Sequence, residues 1–443
     1  MTPPSAPVNA ALTAPINLVT ARPAWSQTFS SLKIRNYRIF ASANLLAVIA
    51  VWMQRVAQDW MVLELSGSVT AVGITVFMQF IPSLLLMPLG GILADRYSKR
   101  RILIISQSAA GVLAAVMALL ALTGRLEVWH IYVIAFVLGL VVVADQPARQ
   151  VFVNELVGPR QLRNAISLNS SIFQLGGMIG PAVSGVLIMA VGGGWAFAVN
   201  AVACAVTVVS LFLIRTDELV KMPPVKRAKG QLMEGVRYAL GKPTIFFPAA
   251  MAAVFAVFGL SLAVLMAAYA NTVFDAGAGG YGLLNTLVAL GALGGALAST
   301  RIATLRLRGV MAAAGAYGVV LMLASFAPSM ATFGAVMVVA GFASLLFLTS
   351  ANQLVQMSTN VLIRGRVMSL YIMVLIGGQA LGGPLMGWLA EHWGVQGATL
   401  VAGGMPALAA VVIGLVLAKR GQLALKVNLR SARRPVFIVP KAG

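Results

Sequence analysis

The sequence predicts an all-α membrane protein with twelve transmembrane helices in two six-helix, pseudo-symmetric bundles. Three observations predict it: twelve apolar runs of membrane-spanning length, Lys and Arg concentrated in alternate loops, and a repeat relating the first half to the second.

The apolar runs come first. Of the 443 residues, 60% are hydrophobic and 10% are charged, against about 25% charged in ordinary soluble domains. A soluble fold of this length cannot bury so much apolar surface. A bilayer can, at roughly 20 apolar residues per helical crossing. The runs are continuous and rich in Ala, Leu, Val and Gly, unlike the alternating segments of a membrane barrel. They place spans near 38–64, 70–94, 102–123, 128–149, 166–191, 195–214, 244–270, 281–300, 309–327, 331–353, 367–390 and 395–418. Turn-like links separate several of them, among them Ser66-Gly67-Ser68, Gly192-Gly193-Gly194 and Pro328-Ser329.

Charge fixes the expected orientation. One set of alternate loops carries Lys33, Arg35 and Arg38, then Arg96 to Arg101, Arg160 and Arg163, the stretch from Arg215 to Lys242, Arg301 to Arg308, Arg364 and Arg366, and the tail from Lys419. The other set carries Arg125. A missed or extra span would scramble this alternation, so it supports the span count independently. By the positive-inside rule both termini are expected in the cytoplasm, and the chain in the inner (plasma) membrane. The net charge of +21 is therefore topological. It builds no contiguous basic domain, and nucleic acid is not an expected partner. Residues 1–36, with five prolines and no apolar run, read as a disordered cytoplasmic tail and not as a signal peptide.

The repeat has a spacing of about 204 residues. Leu89-Gly90-Gly91-Ile92-Leu93-Ala94 matches Leu293-Gly294-Gly295-Ala296-Leu297-Ala298, and Gly180-Pro181 matches Gly383-Pro384. The pairs fall on equivalent spans, second with eighth and fifth with eleventh. Two parallel six-span halves are a known transporter plan. The expected units are 37–214 and 244–418, joined by a basic linker at 215–243 and followed by a basic tail at 419–443. Leu232, Met233, Val236 and Leu240 in the linker follow helical spacing, as an amphipathic surface helix or a solvated connector would.

Between spans two and three lies Gly91-Ile-Leu-Ala-Asp95-Arg96-Tyr97-Ser98-Lys99-Arg100-Arg101. It resembles the loop motif of the major facilitator superfamily. Gly91, Asp95, Arg96, Lys99 and Arg100 match, and Ser98 replaces the motif's second glycine. An Asp at a helix end beside several cations can form a charge-assisted latch between the halves, made in one state and broken in the other. Arg364 and Arg366, or Asp145 and Glu155, are its candidate partners. Span five carries Gly176-Gly177-Met178-Ile179-Gly180-Pro181-Ala182-Val183-Ser184-Gly185, which resembles the signature of the superfamily's antiporters at Gly176, Gly180, Pro181 and Gly185. Small residues let helices approach closely, and Pro181 removes a backbone hydrogen bond. Gly378, Gly382, Gly383, Pro384 and Gly387 form its counterpart in span eleven. Shorter stretches, including Asp145-Gln-Pro-Ala-Arg149 and Arg364-Gly-Arg366-Val-Met-Ser-Leu370, resemble the branch of enterobactin exporters and macrolide-efflux proteins.

Charges inside the bilayer are costly and point to function. Arg55 and Asp59 in span one, and Asp145 and Arg149 late in span four, are four residues apart and so share a helix face. Each pair can neutralise itself. If protons drive transport, Asp59 or Asp145 carries them. Gln54, Gln58, Gln79, Asn169, Gln174, Asn200, Asn285 and Gln379 either line a pathway or bond helix to helix.

The chain has no metal-ligand cluster, no phosphate loop and no catalytic triad spacing, so neither enzyme activity, nor a cofactor, nor a bound metal is expected. The single Cys204 excludes an internal disulfide. The expectation is a monomeric secondary active transporter that exports a small amphipathic compound by alternating access in exchange for protons. Siderophore export, lysolipid translocation, and a receptor or scaffold role are the alternatives.

Overall fold

A computed structural model of the chain describes residues 29–220, 231–300, 307–360, 363–420, 423–427 and 436–440. Among the described residues, eleven helical segments are long and apolar enough to cross a membrane, from Arg35–Ser66 to Arg364–Leu417. The last runs 54 residues, about 80 Å at 1.5 Å per residue. That is more than twice a hydrocarbon core of about 30 Å. Non-helical φ/ψ at Gly394 (φ 74°) divide it into two segments, which is consistent with twelve crossings among the described residues.

The spans are therefore 1 (Arg35–Ser66), 2 (Val69–Arg96), 3 (Lys99–Leu122), 4 (128–157), 5 (159–191), 6 (Gly194–Leu213), 7 (243–273), 8 (Gly277–Thr300), 9 (Leu307–Ala324), 10 (Met330–Ser358), 11 (364–393) and 12 (395–420). Span 4 continues past the expected end near residue 149. The helix stops at Gly158, whose φ of 66° suits a residue without Cβ, and Pro159 disfavours a helical conformation in the residue before it. Span 1 ends on Gly67 in the left-handed conformation, and the Ser68 side chain caps span 2 by accepting the Ala71 N–H. Span 7 is broken: Pro243–Phe258 and Leu262–Ala268 are α-helical and Tyr269–Val273 is a π-turn.

In the linker, Gln231–Gly241 is helical, and Tyr238 anchors its end by accepting hydrogen bonds from Lys242 Nζ (2.6 Å) and Asn360 N (3.2 Å). A two-stranded antiparallel hairpin, β1 (Leu423–Val427) and β2 (Val436–Pro440), follows span 12. The expected tail before residue 29 and linker residues 221–230 lie outside the described residues.

Corresponding spans pack alike in the two halves. Gly90 of span 2 lies on the Val143 backbone of span 4, and Gly295 of span 8 lies on the Phe342 backbone of span 10. Apolar packing divides unevenly along the bundle. One buried cluster includes residues of both halves, such as Trp60, Val72, Tyr281 and Met386. A second, built around Tyr37, Phe40, Leu103, Phe152 and Leu211, holds first-half residues alone. It lies towards the loops rich in Lys and Arg, here termed the basic end.

Candidate functional site

Where the halves meet, the backbone has small residues. Gly185 of span 5 faces Gly282 of span 8 so closely that a Cβ on Gly282 would stand 2.8 Å from Gly185 Cα and 2.7 Å from the Pro181 carbonyl. Gly279 adjoins Met189 one turn away. On the opposite seam, Gly73 of span 2 adjoins Gly383 and Pro384 of span 11, and a Cβ on Gly387 would stand 2.6 Å from the Val69 carbonyl. The antiporter-like motif thus serves two helices: Gly176 and Gly180 pack on Val48, Ile49 and Trp52 of span 1, and Gly185 packs on span 8. Ser184 donates to the Met53 carbonyl at 2.9 Å. Gly378 and Gly382 repeat this on Ala256 and Val257 of span 7.

These seams lie towards the end opposite the basic one. At the basic end the loop motif contacts its own half. Lys99 pairs with Glu155 at 3.5 Å, one of its candidate partners. Arg100 donates to the Leu211 and Phe212 carbonyls at 2.7 and 3.1 Å, closing the electronegative C-terminus of span 6. Gly91, Asp95 and Arg96 occupy the last turns of span 2; the Asp95 side chain lies outside the described ones. Among the described residues, the close backbone contacts between the halves lie towards the end opposite the basic one, while Lys99 and Arg100 contact their own half.

Between the seams is a cavity of about 270 Å³. Both halves line it. Trp52, Arg55 and Asp59 come from span 1, Gln79 and Phe80 from span 2, Tyr281 and Asn285 from span 8, with Tyr317, Ser344 and Gln379 from spans 9, 10 and 11. Apolar and aromatic walls with a few polar groups are typical of small-molecule sites.

The two predicted charge pairs separate here. Asp145 and Arg149 form an ion pair at 2.9 Å. Asp145 also accepts from Ser106 Oγ (2.8 Å) and Gln107 Nε2 (2.9 Å), and Arg149 donates to Asn44 Oδ1 (2.8 Å), which Asn44 extends to Asn169 (2.9 Å). This network ties spans 1, 3, 4 and 5 of one half and does not line the cavity. Arg55 and Asp59 do line it, but they are not an ion pair within 4.0 Å as the spacing suggested. The Arg55 guanidinium lies over Trp52 (5.2 Å) and Phe80 (5.7 Å), and its Nε is buried without a hydrogen-bond partner among the described residues. Asp59 Oδ2 instead accepts the Tyr281 hydroxyl at 3.0 Å, from the other half. Tyr281, stacked on Trp60, carries no charge and sits 222 positions away, so no sequence signal marked it.

The neutral polar candidates divide too. Gln79, Asn285 and Gln379 line the cavity. Gln54 and Asn200 bond to each other at 2.5 Å, and Asn169 serves the Asp145 network.

The model of the transmembrane secretion effector family matches residues 26–433. The chain belongs to that family of the major facilitator superfamily. It is 25% identical over 401 residues to the enterobactin exporter EntS of Salmonella typhimurium, covering 89% of this chain and 95% of that one. It is 28% identical to the staphyloferrin A transporter of Staphylococcus aureus, over 34% of this chain and 38% of the relative. A bacterial homologue of the lysosomal transporter Spinster shares the fold (TM-score 0.65, 17% identity, 87% of this chain and 95% of that one). So does a POT family transporter (TM-score 0.70, 11% identity, 87% and 96%). This family member is thus a multi-pass membrane transporter.

Proposed function

We propose that this protein exports a small amphipathic compound by alternating access in exchange for protons, with its basic end and both termini in the cytoplasm, and that Asp59 rather than Asp145 carries the proton. The observation that supports this most is the bond from Tyr281 to Asp59 on the cavity wall. It joins spans 1 and 8, so it must change when the halves rock. An ionised Asp59 holds the Tyr281 hydroxyl in a charge-assisted bond, and a proton on Asp59 removes the charge that strengthens it. Proton loading from outside, in the state open there, and release to the cytoplasm, in the state open at the basic end, would complete one exchange. Asp145 is saturated by four hydrogen bonds inside one half, the pattern of a structural pair.

Two features favour a siderophore as cargo. Full-length relatives are named enterobactin exporters. The Arg55 guanidinium, at the cavity with its Nε buried and without a hydrogen-bond partner among the described residues, suits a cargo rich in acceptor oxygens.

The test is efflux from reconstituted vesicles under an imposed pH gradient, with siderophores, lipophilic dyes and lysolipids as probes. Gradient-driven accumulation of one probe should vanish in Asp59→Asn while that variant retains probe-for-probe exchange. Accumulation that persists after the gradient is collapsed would reject proton exchange. Retained coupling in Asp59→Asn would reject Asp59 as the carrier.

A further inference from the structure

At the end opposite the basic loops, one carboxylate of the second half reaches into the first. Glu391, at the end of span 11, accepts Ser68 Oγ (2.6 Å) and Thr70 N (3.0 Å) through Oε1, and Thr70 Oγ1 (2.6 Å) through Oε2. Ser68 is the N-cap of span 2, and Thr70 is in its first turn. The first N–H groups of a helix have no partner inside it and carry the positive end of its dipole. An anionic acceptor is well matched to that place, and here it comes from the other half of the protein.

We propose that Glu391 is a latch on the face opposite the basic end, which holds spans 2 and 11 together while the cavity opens at the basic end and lets go when the carrier reverses. The sequence pointed to a latch at the other end, around Asp95. At the basic end the described contacts of the loop motif stay within one half. Lys99 and Arg100 contact Glu155 and the end of span 6 in their own half. Glu391 contacts span 2 across the halves, beside the close approach of Gly387 to Val69 and Thr70.

The latch is confined to one seam. At the register that matches Gly180-Pro181 to Gly383-Pro384, the position equivalent to Glu391 is Ile188. Among the described residues, the seam of spans 5 and 8 has no such carboxylate and closes on Gly185, Gly282, Gly279 and Met189. Backbone contact between glycines is made wherever the helices come close. Three hydrogen bonds to one exposed carboxylate form only in one arrangement. That difference lets Glu391 bias the two states unequally.

The inference rests on the alternating-access reading, and one experiment separates the two. Ser344, on the cavity wall in span 10, is replaced by Cys in a Cys204→Ser background, and the full chain is reconstituted in vesicles. A membrane-impermeant maleimide is applied to each face in turn. In the parent the probe should react mainly from the basic face. Glu391→Ala should raise labelling from the opposite face, relative to the basic face, about tenfold. Thr70→Val, which loses one hydroxyl donor at nearly constant size, should give a smaller shift in the same direction and add little on top of Glu391→Ala. A lowered melting temperature with an unchanged labelling ratio would show that Glu391 only stabilises the fold and would overturn the latch. A parent probe equally reactive from both faces would overturn alternating access itself.

Discussion

Gly282→Ala is predicted to push the carrier out of the state described here. The added Cβ would stand 2.8 Å from Gly185 Cα, 3.0 Å from Gly185 N and 2.7 Å from the Pro181 carbonyl. Carbon atoms in favourable contact sit about 3.5–4.0 Å apart, so spans 5 and 8 must separate by roughly 0.7 Å or more. All three obstacles are backbone, and no side chain can rotate away. Overpacking of this kind costs about 1–3 kcal/mol. The cost falls only on the state in which spans 5 and 8 touch at Gly185, so the population should shift about 5- to 150-fold towards the other state. The Ser344→Cys probe reads the shift as increased labelling from the face opposite the basic end. Gly404→Ala is the control, because a Cβ there meets nothing within 4 Å. An unchanged labelling ratio in folded Gly282→Ala, or an equal change in Gly404→Ala, would refute the reasoning.

Two other substitutions separate structure from mechanism. Asp145→Asn leaves Arg149 without its ion-pair partner. It should cost about 3 kcal/mol, near the lower end for a broken buried pair because both side chains keep some exposure. Thermal melting in detergent should fall clearly while the pH profile of transport per folded molecule stays put; a shifted profile with unchanged melting would make Asp145 a coupling residue. Asp95→Asn should reduce transport in vesicles without impairing insertion, and wild-type rates would remove the basic-end latch.

Much of the fold was legible because the bilayer imposes a length rule that sequence obeys directly. A helix must remain apolar across the hydrocarbon, so runs such as 195–214 and 331–353 locate spans 6 and 10 within a few residues. The end of span 4 was less legible. Glu155 lies past the span end expected near residue 149, whereas the helix carries it on to Gly158 and it pairs with Lys99. The site was legible by type rather than by role. Helical spacing placed Arg55 and Asp59 on one face, but that spacing permits contact and does not require it. Trp52 and Phe80 draw the guanidinium away, and Tyr281 takes the carboxylate.

Glu391 shows the same limit from the other direction. By sequence it is a charge at the end of a span, where carboxylates are common and cheap to solvate. Its meaning depends on the first turn of span 2, more than 300 residues earlier.

The sequence by itself determined the α-helical class, the spans, the repeat and the superfamily motifs, because each depends on hydrophobic length, side-chain size and charge along a single segment. The tertiary structure alone decided which charges pair, which line the cavity, and which described residues bring the halves into contact. Those properties belong to contacts between distant spans, and distances of a few ångströms across a packed interface leave no periodic mark on the chain that makes them.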